Sequence, residues 1–148
     1  MKKPLKNLIL VLFIIYCFVL AFILFFPRLH HSNNFERSYN LLPFATIYEM
    51  ISRLINQTIS NNIVIRNIGV NILLFVPMGI ALPILFNNFK KLWQVTLICF
   101  FVTALAETIQ YIFNLGSFDI DDIILNTFGG IIGYAVFKIP FIEKILDD

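Results

Sequence analysis

Four long apolar runs separated by short polar breaks leave this chain few ways to fold. They cover residues 8–26, 63–86, 92–113 and 123 to about 142. A run of about 20 apolar residues, wound as a helix, crosses the roughly 30 Å hydrocarbon core of a bilayer. Lipid offers the backbone no hydrogen bonds, so a spanning segment must satisfy its own N–H and C=O groups and does so as a helix. A soluble alternative fails on surface chemistry. Charged residues make up only 14% of the sequence and hydrophobic ones 59%, whereas a soluble domain devotes about 25% to charge. The sequence therefore predicts an all-α, polytopic membrane bundle of about four transmembrane helices, forming a single domain over residues 1–148.

Each run has its own punctuation. Lys2, Lys3 and Lys6 precede the first, which ends at Pro27-Arg28. It is longer than a signal-peptide core and no small-x-small cleavage site follows, so it reads as a retained helix. Arg66, Asn67 and Asn71 enter the second run early, and Pro77, Gly79 and Pro83 late; neighbouring helices can satisfy the carbonyls that proline frees, and a kinked helix is expected. The third run carries Glu107 and Gln110. The fourth contains Gly129 and Gly133, a G-x-x-x-G face suited to close helix packing.

Lysines and arginines in short loops orient such a bundle. Lys2, Lys3, Lys6, Lys90 and Lys91 place both termini in the cytoplasm, and the turn at 114–122 and the loop at 27–62 outside, although that loop also holds Arg28, Arg37 and Arg53. A multi-pass protein of the cell membrane is expected. Within the outer loop Ile47, Met50, Ile51, Leu54 and Ile55 recur at helical spacing, with Glu49, Ser52, Arg53 and Asn56 between them. Pro43 suits a helix start. The pattern predicts a short amphipathic helix that either lies at the interface or caps the bundle.

Several chemistries drop out. The formal net charge is +2 and its cations are scattered, so no basic stripe exists to hold nucleic acid. Cys17 and Cys99 each lie inside an apolar run, where a thiol acts as a small hydrophobe rather than a disulfide or zinc partner. His30 and His31 are adjacent and point differently. No serine–histidine arrangement, phosphate-cradling glycine loop or nucleotide fingerprint is present.

What remains is a polar constellation at one end. Ionisable groups inside apolar spans are costly and point to function by default. Glu107 lies in the outer half of the third helix, with Gln110 and Tyr111 three and four residues on and sharing its face. Asp119, Asp122 and Asn126 form a second stripe at the outer end of the fourth helix. A short turn joins the two. Asn67 and Asn71, spaced by four, belong to the outer half of the second helix, with Arg66 adjacent and Arg37 within reach from the loop. Three readings compete. The carboxylates pair with Arg37, Arg66 or helix amides and hold the bundle together, Asp119 acting as an N-cap; or they and the amide oxygens hold a hard divalent cation; or Glu107, withdrawn from water, works as a general acid or base. Spacing alone assigns no metal or cofactor.

The same residues resemble the VanZ-like family of small bacterial membrane proteins. The resemblance runs from Arg37 to about Tyr134. It is carried by Arg37-Ser38-Tyr39-Asn40-Leu41-Leu42-Pro43-Phe44, by Asn67 to Asn71 followed by Leu74-Phe75-Val76-Pro77-Met78-Gly79, by Glu107-Thr108-Ile109-Gln110, and by the stretch from Phe118-Asp119-Ile120-Asp121-Asp122 through Asn126 to Gly129-Gly130. Many members carry arginine between the glycine and the aspartate motif, where this chain has Gly116-Ser117-Phe118; Arg37 and Arg66 are then the cationic candidates. The resemblance implies a cell-envelope protein, associated in some members with reduced susceptibility to teicoplanin-type glycopeptides. The expectation is a protein that uses Glu107, Asp119 and Asp122, with Arg37, Asn67, Asn71, Gln110 and Asn126, to bind or act on a lipid-linked or cell-wall ligand at the outer face. The alternatives are a metal-dependent enzyme acting on a polyprenyl or phospholipid phosphate, with the three carboxylates on the metal and Arg37 on the phosphate, and a non-catalytic assembly partner.

Overall fold

The computed structural model describes residues 3–29 and 38–139. Its order is α1 (Lys3–Leu29), β1 (Tyr39–Asn40), α2 (Ala45–Ile55), α3 (Asn61–Leu85), a 3-10 turn (Asn87–Phe89), α4 (Leu92–Ile112), β2 (Phe118–Asp119) and α5 (Ile120–Phe137). The helices α1, α3, α4 and α5 are long and apolar enough to cross a membrane, and they coincide with the four expected spans. The ends differ by a few residues. α1 starts at Lys3 and runs for about 40 Å, so its lysine-bearing first turns extend beyond an apolar core about 30 Å thick. α5 starts at Ile120 rather than 123 because Asp119 caps it, its side chain accepting from the Asp121 N–H. The expected amphipathic helix is α2, whose ends lie within the loop as anticipated.

Small residues decide the packing. α3 and α5 lie closest, and a Cβ added at Gly129 would run into the Ile72 carbonyl, one at Gly133 into the Val76 carbonyl, and one at Gly79 into the Gly130 carbonyl. Only hydrogen at those positions lets the two backbones touch. Gly130 gives the same clearance to the Cys99 side chain on α4. The core that results is built on Phe75, Met78 and Leu82 of α3, Val95 and Cys99 of α4, and Leu20 of α1. Hydroxyls inside α4 turn back on the helix, Thr96 donating to the Leu92 carbonyl and Thr108 to that of Ala104, so they present no unmet polar group to an apolar surround.

α1 is peripheral. Leu20 is buried, but Phe18, Phe22 and Val11 are more than half exposed, a surface that only lipid or another protein would cover. Its principal polar tie is the Tyr16 hydroxyl, which donates to the Leu74 carbonyl at 2.6 Å, one residue past the Leu73 carbonyl that Pro77 leaves without an amide partner. At the end of the bundle that carries the 3-10 turn, Lys90 Nζ donates to the Pro83 carbonyl and the Tyr134 hydroxyl to that of Lys90.

One feature escaped the helical reading: β1 and β2 pair in parallel, Tyr39 opposite Phe118 and Asn40 opposite Asp119, with the Phe118 N–H also donating to the Ser38 carbonyl. A two-residue bridge is too short to show any alternation of polarity. Its effect is nonetheless large, because it pins the α1–α3 connection onto the turn between α4 and α5.

Candidate functional site

The α4–α5 turn is formed by a helix end and a helix start in quick succession. After α4, Asn114 takes the left-handed conformation (φ 60°), which asparagine tolerates better than most side chains, and the Leu115 N–H returns to the Gln110 carbonyl at 2.8 Å. Such a closure satisfies carbonyls that a helix terminus would leave open. It reverses the chain within a few residues and sets β2 against the last turns of α4. There Glu107, 3% exposed, accepts from the Asp119 N–H at 3.2 Å. The stripes on α4 and α5 thus meet through a side chain and a backbone amide.

Asp119 is the junction of this end of the molecule. One of its oxygens accepts from Asn40 Nδ2 and from the Asp121 N–H, the other from the Thr46 hydroxyl; Asn40 also donates to Thr46. Asp122, in the first turn of α5, accepts from Asn71 of α3. Asp121 points elsewhere. It is 1% exposed, and its two oxygens accept from the N–H groups of Phe44 and Ile47, the N-cap and third residues of α2. Phe44 is itself left-handed (φ 66°) and makes no side-chain cap, so a carboxylate on a distant helix supplies the acceptors that a local Ser or Asp would normally provide.

These ties leave a cleft of about 740 Å³ between α1, α2, α3 and the start of α5. Arg66, Asn67 and Asn71 form its α3 wall, Asp119 and Asp122 its floor, and Ser117 and Thr46 its rim; Ile23, Met50 and Val70 are its apolar lining. Arg66 is exposed and makes no ion pair among the described residues, where the one ion pair is Glu49 with Arg53 on the surface of α2.

Of the residues singled out from the sequence, Asn67, Asn71, Asp119 and Asp122 line this cleft. Glu107 lies behind Asp119. Gln110 and Asn126 are fully packed between helices: Gln110 Nε2 donates to the Leu24 carbonyl of α1 at 3.0 Å, and Asn126 Nδ2 to the Thr103 hydroxyl of α4 at 2.7 Å. Their amide oxygens are buried without a hydrogen-bond partner among the described residues. Arg37 lies outside the described residues. Arg66 was expected only as an alternative cation to Arg37, and Thr46 and Asp121 were not assigned to the site from the sequence. A helix start at 44–47 lacking any Ser, Thr, Asp or Asn before Thr46 was the one sequence signal that an outside acceptor was needed. Among the described residues no group of three or more His, Cys, Asp or Glu side chains is placed to hold a metal ion; Asp119 accepts from amides and a hydroxyl, and Asp122 from the Asn71 amide.

A curated relative, Protein VanZ of Enterococcus faecium, is 32% identical over 105 residues, which is 70% of this chain and 62% of that protein; the chain therefore spans less than two thirds of the relative's length. No solved structure matches. The family model described as VanZ/LLP1 matches residues 13–142, which takes in the last two-thirds of α1, the α2 cap, the cleft and all of α5, and the chain accordingly belongs to the VanZ/LLP1 family.

Proposed function

We propose that this protein binds, or acts on, a lipid-linked or cell-wall ligand in the cleft between α1, α2, α3 and α5, at the outer face of the cell membrane, and that it modulates susceptibility to teicoplanin-type glycopeptides. The cleft carries this reading. It combines a guanidinium, two primary amides, two carboxylates and two hydroxyls with an apolar margin, the mixture that fixes a polar headgroup by convergent hydrogen bonds while its apolar part stays out of water. The four apolar helices of membrane-spanning length and the match to the VanZ/LLP1 family support a role at the membrane.

Binding is favoured over metal-dependent catalysis by what the carboxylates do. Asp119 already accepts from three donors and Asp122 from Asn71, so Asp119 fixes Thr46 at the rim of the cleft and Asp122 orients the Asn71 amide in its wall. Glu107 acts one step further back, as a positioning residue for β2 through the Asp119 amide.

The test is expression in a susceptible Gram-positive host. The protein should raise the teicoplanin concentration needed for inhibition, and Arg66→Gln and Glu107→Gln should abolish that rise at unchanged membrane abundance. Retention of the full effect by Glu107→Gln would remove Glu107 from the mechanism; no effect of the parent protein would overturn the glycopeptide role. Orientation is tested separately by Ser117→Cys in a background lacking Cys17 and Cys99: an impermeant thiol reagent added outside should label it, and labelling only from the cytoplasmic side would invert the proposed topology.

A further inference from the structure

The cleft does not end at its polar wall. Val70, on its apolar side, also lines a second cavity of about 240 Å³ between α1 and α3, shared with Val19, Leu20, Leu73 and Leu74. Tyr16 and Pro77 in turn join that cavity to a third of about 330 Å³, which continues to Ile9 and Ala81. Through these shared residues the three follow one line along the seam of antiparallel α1 and α3, polar at the Arg66 end and almost wholly apolar beyond Val70, and we read them as one groove. The seam is open because α1 touches α3 through Leu20, Tyr16 and a few partly buried neighbours, and because Pro77 presents a ring where a longer side chain would fill the gap.

Length identifies the occupant. From Ile23 at the cleft to Ile9 at the far end the groove follows α1 for about 21 Å at the helical rise. One leaflet of a bilayer offers about 15 Å of hydrocarbon, so a chain lying in the whole groove passes the midplane. A phospholipid acyl chain ends near that plane.

We propose that the groove holds the tail of a single-chain polyprenyl lipid whose anionic headgroup sits beside Arg66. This rests on the reading that the cleft binds a headgroup. The amides of Asn67 and Asn71 and the hydroxyl of Ser117 supply donors to an anionic oxygen.

The experiment uses the full chain in phospholipid nanodiscs and measures binding of polyprenyl monophosphates with chains shorter and longer than the groove, against phosphatidic acid. Affinity should rise at least tenfold from the shortest to the longest chain, and phosphatidic acid should bind no better than the shortest. Val19→Trp and Leu73→Trp each add bulk at exposed, lipid-facing positions and should erase the chain-length gain while leaving the short probe's affinity unchanged. Arg66→Gln should weaken every probe. If the long chain keeps its advantage in both tryptophan variants, the tail lies elsewhere and this proposal falls while the headgroup reading stands. Equal binding of phosphatidic acid and the long polyprenyl phosphate overturns the assignment of the chain. If no phosphate of any length binds, the headgroup reading fails, and the tail site with it.

Discussion

Replacing Asp121 by alanine should unfasten α2 without unfolding the bundle. Its two oxygens make the bonds that an N-cap side chain and its reciprocal partner make in an ordinary helix, one to the Ile47 N–H and one to the Phe44 N–H. Loss of a single cap costs up to about 2 kcal/mol, and a hydrogen bond to a charged group is worth about 1.5–3 kcal/mol. Removing both bonds leaves two amides without acceptors and a left-handed phenylalanine without its tether, so about 2–4 kcal/mol is expected. Because each 1.4 kcal/mol is a factor of ten, the amides of 44–48 should exchange with deuterium about 30 to 700 times faster, while those of α3–α5 change little. Asp121→Asn keeps one acceptor oxygen and should fall between the two. Since Thr46 and Met50 of α2 line the cleft, binding there should weaken in step with exchange. Unchanged exchange over 44–48 in Asp121→Ala would refute the view that a carboxylate on α5 holds this helix.

Three further outcomes follow from the packing. Gly129→Ala puts a methyl into the Ile72 carbonyl and should lower resistance to denaturation in detergent by about 1–3 kcal/mol, whereas Gly69→Ala, with nothing within 4 Å of its added carbon, should be neutral or raise it by up to about 1 kcal/mol. Thr103→Val removes the acceptor for Asn126 Nδ2 at a site with no solvent access and should cost about 1–3 kcal/mol in the same assay, with Thr103→Ser recovering most of it. Tyr16→Phe deletes the bond from α1 to Leu74 and should speed exchange at α1 without altering the α3–α5 core.

How much of this was legible from the chain depends on range. The four spans and α2 follow from periodicities within a single segment, and Gly129 with Gly133 announced a close helix contact; each prediction needed only residues a few positions apart. The meeting of the α4 and α5 stripes was also legible, because one short turn joins them. What the pattern could not tell was which neighbour a polar face looks at. Gln110 shares a face with Glu107, and Asn126 with Asp122, yet α1 covers the first amide and Thr103 meets the second, so both work in helix contacts behind the cleft. The role of Asp121 depends on amides 74 and 77 residues away, and the Asn71–Asp122 pair spans 51. Tertiary packing alone brings these together. Arg66 was legible as a cation beside the asparagine stripe, but only the placement of α2 across from it makes it the wall of a cleft.

The claim on which the rest depends is that the cleft, rather than the general lipid-facing surface, selects a ligand. A photoreactive amino acid placed at Asn67 in the cleft and, as a control, at Phe101 on the exposed face of α4 tests it in living cells, with the adducts identified by mass spectrometry. The account predicts a lipid-linked envelope species captured at position 67 and bulk phospholipid at 101. The same phospholipid adducts at both positions would contradict it.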